Sequence, residues 1–289
     1  MKTVYKSVAF AVAALLLTAG SFYYQSKVAI AAYAPEWDPT GQFVIFYQWE
    51  QGDDGKVTRM YKINADGSNK QQFGPQGPGY PSLPTLSSDG KTAIFSDLRN
   101  VYRLNMADQT TQKLTDADGV RHFGPQFSPD GSQIVYDEMN NEGFIHLMNA
   151  DGSGKTALGV NGARPAFSPD GQTIVYHAKV DGVQQVMLMK TDGTPLKRLT
   201  DGKGDSYDPS YSPDGRFVLF FREVEKDVNE AFEVEVASGQ ERQLTFMGKQ
   251  VWGIDYSPNG QTLVFAAEDW FGSNLYLMPR SGGAPSKLL

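Results

Sequence analysis

The stretch "PAFSPDGQTIVY" at residues 165–176 recurs as "PQFSPDGSQIVY" at 125–136 and as "PSYSPDGRFVLF" at 209–220. One phrase repeated at near-constant spacing marks a repeat architecture, which constrains the fold before any site is considered. Ser-Pro-Asp-Gly carries turn chemistry throughout. Ser suits the first position of a type I turn, Pro presets φ at the second, and Gly accepts the positive φ with which the chain reverses. An aromatic residue precedes the turn, and β-branched and aromatic residues follow it, so each phrase is predicted to form a β-hairpin. In the second strand, as at Ile174-Val175-Tyr176, apolar residues are consecutive rather than alternating, which predicts cover on both faces.

Three degenerate copies extend the series: "PEWDPTGQFVIF" at 35–46, "PTLSSDGKTAIF" at 84–95 and "IDYSPNGQTLVF" at 254–265. The turn glycines Gly41, Gly90, Gly131, Gly171, Gly215 and Gly260 are 49, 41, 40, 44 and 45 residues apart. Between them lies a second signal, as in "INADGSNKQQF", "MNADGSGKTAL" and "KTDGTPLKRLT", each reading as a strand, an Asp-Gly turn and a short strand. Each unit then holds four strands in roughly 44 residues, the size of a β-propeller blade. The predicted fold is all-β: a six-bladed β-propeller of four-stranded antiparallel blades over residues 21–289. No strand is left over at either end, so closure by packing of the first unit on the last, without strand exchange, is expected. Pairing of "SFYYQ" at 21–25 with the last unit would contradict this.

A net charge of −7 argues against nucleic acid, which calls for clustered cations. The absence of cysteine excludes disulfides, thiolate metal sites, a Cys nucleophile and a bacterial lipoprotein anchor. The N-terminus "MKTVYKSVAFAVAALLLTAGS" has Lys2 and Lys6, ten apolar residues from Val8 to Leu17, then Thr18-Ala19-Gly20. That order is a secretory signal, so residues 1–20 are expected to be a signal peptide cleaved near Gly20, or an uncleaved anchor and the chain's only membrane contact. Ten apolar residues are few for a membrane span. A periplasmic or secreted monomer is expected.

The "FSPDG" phrase, the apolar strand after it, "NADG" and "LT" together resemble the WD40-like repeat of the TolB-type propeller family over nearly all of residues 28–289. The resemblance implies the propeller and a place in the cell envelope, where TolB serves the Tol–Pal system. TolB also carries a small α/β domain ahead of its propeller. Here only about fifteen residues separate the signal from the first unit, so the resemblance extends to the propeller part alone. Similar repeats occur in the propeller halves of prolyl-oligopeptidase-like enzymes and in oligogalacturonate lyases.

Candidate chemistry is sparse. No Gly-x-Ser-x-Gly elbow is present, which excludes the serine-hydrolase motif. Of three histidines, His122 precedes an inner strand and is expected near the channel mouth, whereas His146 and His177 read as packed strand residues. "DADG" at 116–119, "NADGSG" at 149–154 and "DGKGD" at 201–205 offer oxygens, but none has the spacing of a calcium loop. No cofactor is expected, with calcium as the alternative.

The short turns read as scaffold, and the opposite face carries the variable loops 48–57, 137–143, 222–230 and 267–273. These hold Asp53, Asp54, Glu138, Glu142, Glu223, Glu225, Glu268 and Asp269, so that face is expected to be acidic. At the channel mouth, the position before the repeat's Pro reads Ala34, Leu83, Gly124, Arg164, Asp208 and, in the last unit, Gly253. Arg164 and Asp208 break this small or apolar register, either as a structural ion pair or as a grip on a ligand. Tyr207 and Trp252, one residue earlier in their units, offer stacking surfaces. His122, Arg164, Tyr207, Asp208 and Trp252 are therefore the candidate binding residues, with no catalytic set. The expected function is an exported non-enzymatic scaffold that recognises a protein or peptide of the cell envelope. The alternative is a carbohydrate-active (oligogalacturonate-lyase-like) or hydrolytic enzyme using the channel mouth.

Overall fold

The computed structural model describes residues 30–52, 55–75, 82–116, 119–139, 143–269 and 272–289. The segments 1–20 and 21–25, and Asp53, Asp54 and Glu142 of the variable loops, lie outside the described residues. Among the described residues the structure is all-β, and no helix is long and apolar enough to cross a membrane.

Among the described residues, twenty-four strands follow one another in six groups of four. The first group is β1 (Ile30–Trp37), β2 (Phe43–Gly52), β3 (Gly55–Asn64) and β4 (Gln71–Phe73). Next come β5 (Ser82–Leu86), β6 (Thr92–Ser96), β7 (Val101–Asn105) and β8 (Thr111–Lys113). The third comprises β9 (Arg121–Phe127), β10 (Gln133–Met139), β11 (Phe144–Asn149) and β12 (Thr156–Asn161). The fourth is formed by β13 (Ala163–Phe167), β14 (Thr173–Val180), β15 (Val183–Lys190) and β16 (Pro195–Arg198). In the fifth are β17 (Ser206–Tyr211), β18 (Phe217–Glu225), β19 (Val228–Glu235) and β20 (Glu241–Gln243). The last holds β21 (Val251–Tyr256), β22 (Thr262–Asp269), β23 (Gly272–Pro279) and β24 (Ser286–Lys287). Within each group, successive strands pair antiparallel in chain order.

The recurring phrase forms the predicted hairpin. In the fourth group, Gly171 N donates to Ser168 O at 2.8 Å, closing the turn, and Gly171 sits at φ +68°. Ser168 Oγ donates to Asp170 Oδ1 at 2.6 Å and accepts from Thr173 N at 3.0 Å, so one hydroxyl locks both the turn and the start of the second strand. The same pair of bonds recurs at Ser87/Asp89, Ser212/Asp214 and Ser257/Asn259. In the divergent first copy, Asp38 does both jobs, accepting from Thr40 N, Gln42 N and Phe43 N.

The Pro of the phrase has its own physical reason. In every group the pairing of the first strand to the second shifts register at this point, for example between Ala163 and Ala166. Two residues such as Arg164-Pro165 then face one on the partner strand, a β-bulge. Pro lacks an N–H, and a bulge is where a strand gives up a ladder bond anyway.

The consecutive apolar run is covered on both faces, as predicted. Val175 packs in a cluster with the fifth group, whereas Ile174 and Tyr176 pack in one with the third. Among the described residues there are six such clusters: five bridge consecutive groups, and one bridges the last group to the first through Val264, Ala266 and Leu275 against Ala32, Val44 and Phe46. The first and last groups meet through more than packing. Trp37 N donates to Asp255 Oδ2 at 2.9 Å, and β1 runs parallel to β23 at Ile30↔Gly272 and Ala31↔Ser273. The expectation was packing alone, whereas β1 and β23 join the first and last groups in one sheet. Gly253 sits at the same junction, where a Cβ would lie 2.5 Å from Ala34 Cα.

Candidate functional site

The first strands of all six groups line a narrow cavity of about 120 Å³. The residue after the bulge in each points into it: Glu36, Thr85, Gln126, Ala166, Ser210 and Asp255. Two carboxyls from adjacent groups share this ring. Glu36 Oε1 accepts Leu86 N at 3.0 Å, while Asp255 accepts Trp37 N. Burial raises both carboxyls; Asp255 is pushed up to about 7, and the neighbouring Asp255 lifts Glu36 further. The Ser210 hydroxyl has no partner among the described residues.

This channel opens into a wider mouth of about 450 Å³. Arg164 and Asp208 line both spaces. Their backbones are left-handed, at φ +54° and +49°, although neither is glycine. Such residues store about 1–3 kcal/mol of strain each and persist only where neighbours fix them. The preceding group does this in both cases. Asp137 Oδ1 accepts Arg164 N at 3.1 Å, and His177 Nδ1 accepts Asp208 N at 3.3 Å. The side chains pair at 3.5 Å, Arg164 Nε to Asp208 Oδ1. Arg164 Nη1 is nonetheless buried without an acceptor among the described residues. Gln250 Oε1, also in the mouth lining, is buried without a donor.

Aromatic residues form the walls. Trp252 is 37% exposed and Tyr207 half-buried. Tyr207 donates to Asp205 Oδ2 at 3.1 Å and packs edge-on against His177 at 5.9 Å. Burial, then the Asp205 carboxylate, pushes the Tyr207 phenol up to about 12. Burial lowers the pKa of His177 and favours a neutral ring that can accept from Asp208 N.

Four of the five candidate residues therefore converge on one mouth: Arg164, Tyr207, Asp208 and Trp252. His122 does not. It is 4% exposed, its Nδ1 lies 2.9 Å from Arg99 O, and its Nε2 lies 3.4 Å from Glu138. The reason is that β9 starts at Arg121 and stays paired to β10 out to Met139, so His122 lies on the sheet rather than in an entry loop. His146 joins it at Glu138, 3.7 Å away. Mouth residues that the sequence reading missed are Asp137, His177 and Gln250, and below them Glu36 and Asp255. The column after the repeat's Pro, polar in five of six copies, was the available signal for Glu36 and Asp255.

On the variable face, Glu223, Glu225 and Glu268 are exposed, whereas Glu138 is engaged by the two histidines. The side chain of Asp269 lies outside the described residues. In the Asp-Gly stretches, Asp151 Oδ1 accepts Ser153 N at 2.9 Å and Asp201 Oδ1 accepts Lys203 N at 3.1 Å, which is turn chemistry. Among the described residues, no group of three His, Asp or Glu side chains is arranged to hold a metal ion.

Residues 155–284 match the family model of the TolB beta propeller domain. An uncharacterized protein of Agrobacterium fabrum (strain C58 / ATCC 33970) is 25% identical over 224 residues, 75% of this chain and 76% of that protein. The Tol-Pal system protein TolB of Francisella tularensis subsp. mediasiatica (strain FSC147) is 26% identical over 233 residues, 75% of this chain and 52% of that protein. The chain thus spans about half the length of the curated TolB proteins it matches. Among solved structures, a TolB-like protein of Agrobacterium tumefaciens superposes with a TM-score of 0.70 at 24% identity, covering 80% of this chain and 88% of that one. An oligogalacturonate lyase in complex with manganese shares the fold alone, with a TM-score of 0.63 at 15% identity, over 89% of this chain and 78% of that one. Residues 155–284 thus match the TolB beta propeller domain, and the chain is similar to TolB proteins over 75% of its length.

Proposed function

We propose that this chain is an exported, non-enzymatic binding scaffold, a closed six-bladed propeller that takes a protein or peptide segment at its channel mouth. The observation that carries the reading is the mouth of about 450 Å³ in which an Arg164–Asp208 pair lies beside the Tyr207 and Trp252 rings. Aromatic side chains and Arg are the usual anchors of a protein interface, and a cavity of this size suits an inserted side chain or short segment. Six strand groups with six bridging clusters, the sixth joining last to first, support the closed six-bladed reading. The signal-like sequence at residues 1–20 supports export to the periplasm or beyond. Similarity to proteins named for the Tol-Pal system supports an envelope protein as the partner.

The test is capture from envelope extract with the purified chain and, in parallel, with Trp252→Ala/Tyr207→Ala. Trp252 is exposed and Tyr207 half-buried, so the double variant should lose a few degrees of thermal stability but stay folded at the temperature of capture. A stoichiometric partner held by the parent and lost by the folded variant is the expected result. A partner held equally by both would remove the mouth from the mechanism. A mass for the envelope-fraction protein equal to the full 289 residues would refute cleavage near Gly20.

A further inference from the structure

The charges lining the mouth do not balance. Among the described residues, Asp208, Glu223 and Asp227 present three carboxylates against the Arg164 guanidinium, while burial favours the neutral forms of Asp137 and His177. Arg164 is already matched by Asp208. Glu223 and Asp227 are exposed and enter no ion pair among the described residues; their one mutual contact is Asp227 N donating to Glu223 Oε1 at 3.3 Å. Below the mouth, burial holds Glu36 and Asp255 towards their neutral forms, so the excess rests on the exposed Glu223 and Asp227. A low-dielectric cleft lined by one sign of charge concentrates the field and attracts the opposite sign.

Two buried atoms add a second, independent demand. Arg164 Nη1 is a donor lacking an acceptor, and Gln250 Oε1 is an acceptor lacking a donor. A buried polar atom left unpaired is costly, so each favours an occupant that completes it. A peptide group carries both complements, a C=O for the guanidinium and an N–H for the amide oxygen. The walls state a third preference: Trp252 and Tyr207, with Phe123 and Phe221, also line the cavity. Aromatic faces attract Lys and Arg side chains through their negative quadrupole.

We infer that the occupant of the mouth is a peptide segment carrying Lys or Arg, its backbone paired to Arg164 and Gln250 and its cations set among Glu223, Asp227 and the aromatic walls. This rests on the reading of the mouth as a binding site and names the chemistry of what enters it. An acidic segment would meet the exposed Glu223 and Asp227, and the charge of the single guanidinium there is already matched by Asp208, which leaves Nη1 open to an uncharged C=O.

The test uses three dye-labelled hexapeptides, identical in Gly and Tyr content and carrying two Lys, two Glu or two Gln. Fluorescence anisotropy with the full chain is read at low and at near-physiological salt. The Lys peptide should bind about tenfold more tightly than the Gln peptide at low salt, and the gap should close as salt screens the pairs. Glu223→Gln/Asp227→Asn should bring the Lys peptide to within about twofold of the Gln peptide at an unchanged unfolding midpoint, because both side chains are exposed. Equal binding of Lys and Gln peptides, or tighter binding of the Glu peptide, would overturn the cationic preference and leave the mouth reading standing. Binding by none of the three up to millimolar concentration would count against both. Lys-peptide binding indifferent to Trp252→Ala would place the site elsewhere and overturn the inference.

Discussion

Asp255→Asn should make this protein more stable, with a gain that opens above about pH 4 and is complete above about pH 7. Asp255 and Glu36 come from adjacent groups and face the same narrow channel. Burial first, then their mutual repulsion for Glu36, holds both carboxyls above their ordinary range, with Asp255 at about 7 against 3.8. A carboxyl with a raised folded-state pKa binds more protons in the native state than in the unfolded state. Stability therefore falls as pH climbs through that window and is unpenalised below it. At about 1.4 kcal/mol per pH unit, the interval from 3.8 to about 7 bounds the cost near 4 kcal/mol at pH 8. The channel of about 120 Å³ has room for water, which screens the pair and brings the expectation to about 2 kcal/mol. Asn keeps an oxygen for Trp37 N and cannot ionise. By thermal unfolding, the variant should melt about 4 °C above the parent at pH 8 and within about 1 °C of it near pH 4. A difference independent of pH, or a variant less stable at pH 8, would refute the account of the ring as an ionisable pair under strain.

Other substitutions probe the scaffold. Gly253→Ala places a Cβ 2.5 Å from Ala34 Cα and forces a side chain to φ +45°, so it should cost about 3 kcal/mol and loosen the contact between the last and first groups, read as a lowered urea midpoint. Ser168→Ala removes the hydroxyl that bonds Asp170 and Thr173 N, leaving the amide short of a partner; a loss of about 1 kcal/mol in urea unfolding is expected. Glu233→Gln should cost about 2 kcal/mol, because this 3% exposed carboxylate accepts from Arg242, Arg280 and Tyr256 and ties the fifth group to the last. A melting point unchanged within about 1 °C would show those contacts to be idle.

The scaffold was legible because its signals are local. Ser-Pro-Asp-Gly encodes a turn whose hydrogen bonds lie within five residues of one another, as at Ser168, Asp170 and Thr173. The run Ile174-Val175-Tyr176 encodes burial on both faces without reference to any partner. The pairing of β1 with β23 was not legible, since two backbone pairs between residues more than 240 positions apart leave no mark on composition. His122 was misplaced for a related reason. Strand ends are the least marked feature of a sequence, and β9 begins one residue before this histidine rather than after it.

The site was partly legible because of what the bulge does to the repeat. Scaffold chemistry keeps each column of the phrase nearly uniform, so a column that changes from copy to copy is free to carry function. The bulge creates two such columns in every group. The residue before the Pro, held left-handed in Ala34, Gly124, Arg164, Asp208 and Gly253, borders the channel. The residue after it, from Glu36 round to Asp255, forms the ring below. Reading the first column found Arg164 and Asp208; the same reading one step past the Pro would have found the carboxyl pair. Asp137, His177 and Gln250 lie outside both columns. Asp137 and His177 reach the mouth from second strands, where they hold the strained backbone of the next group, and Gln250 lies in a connection entering a first strand. Such residues are specified by the neighbouring repeat rather than by their own, so only the packing of one group on the next brings them into the site.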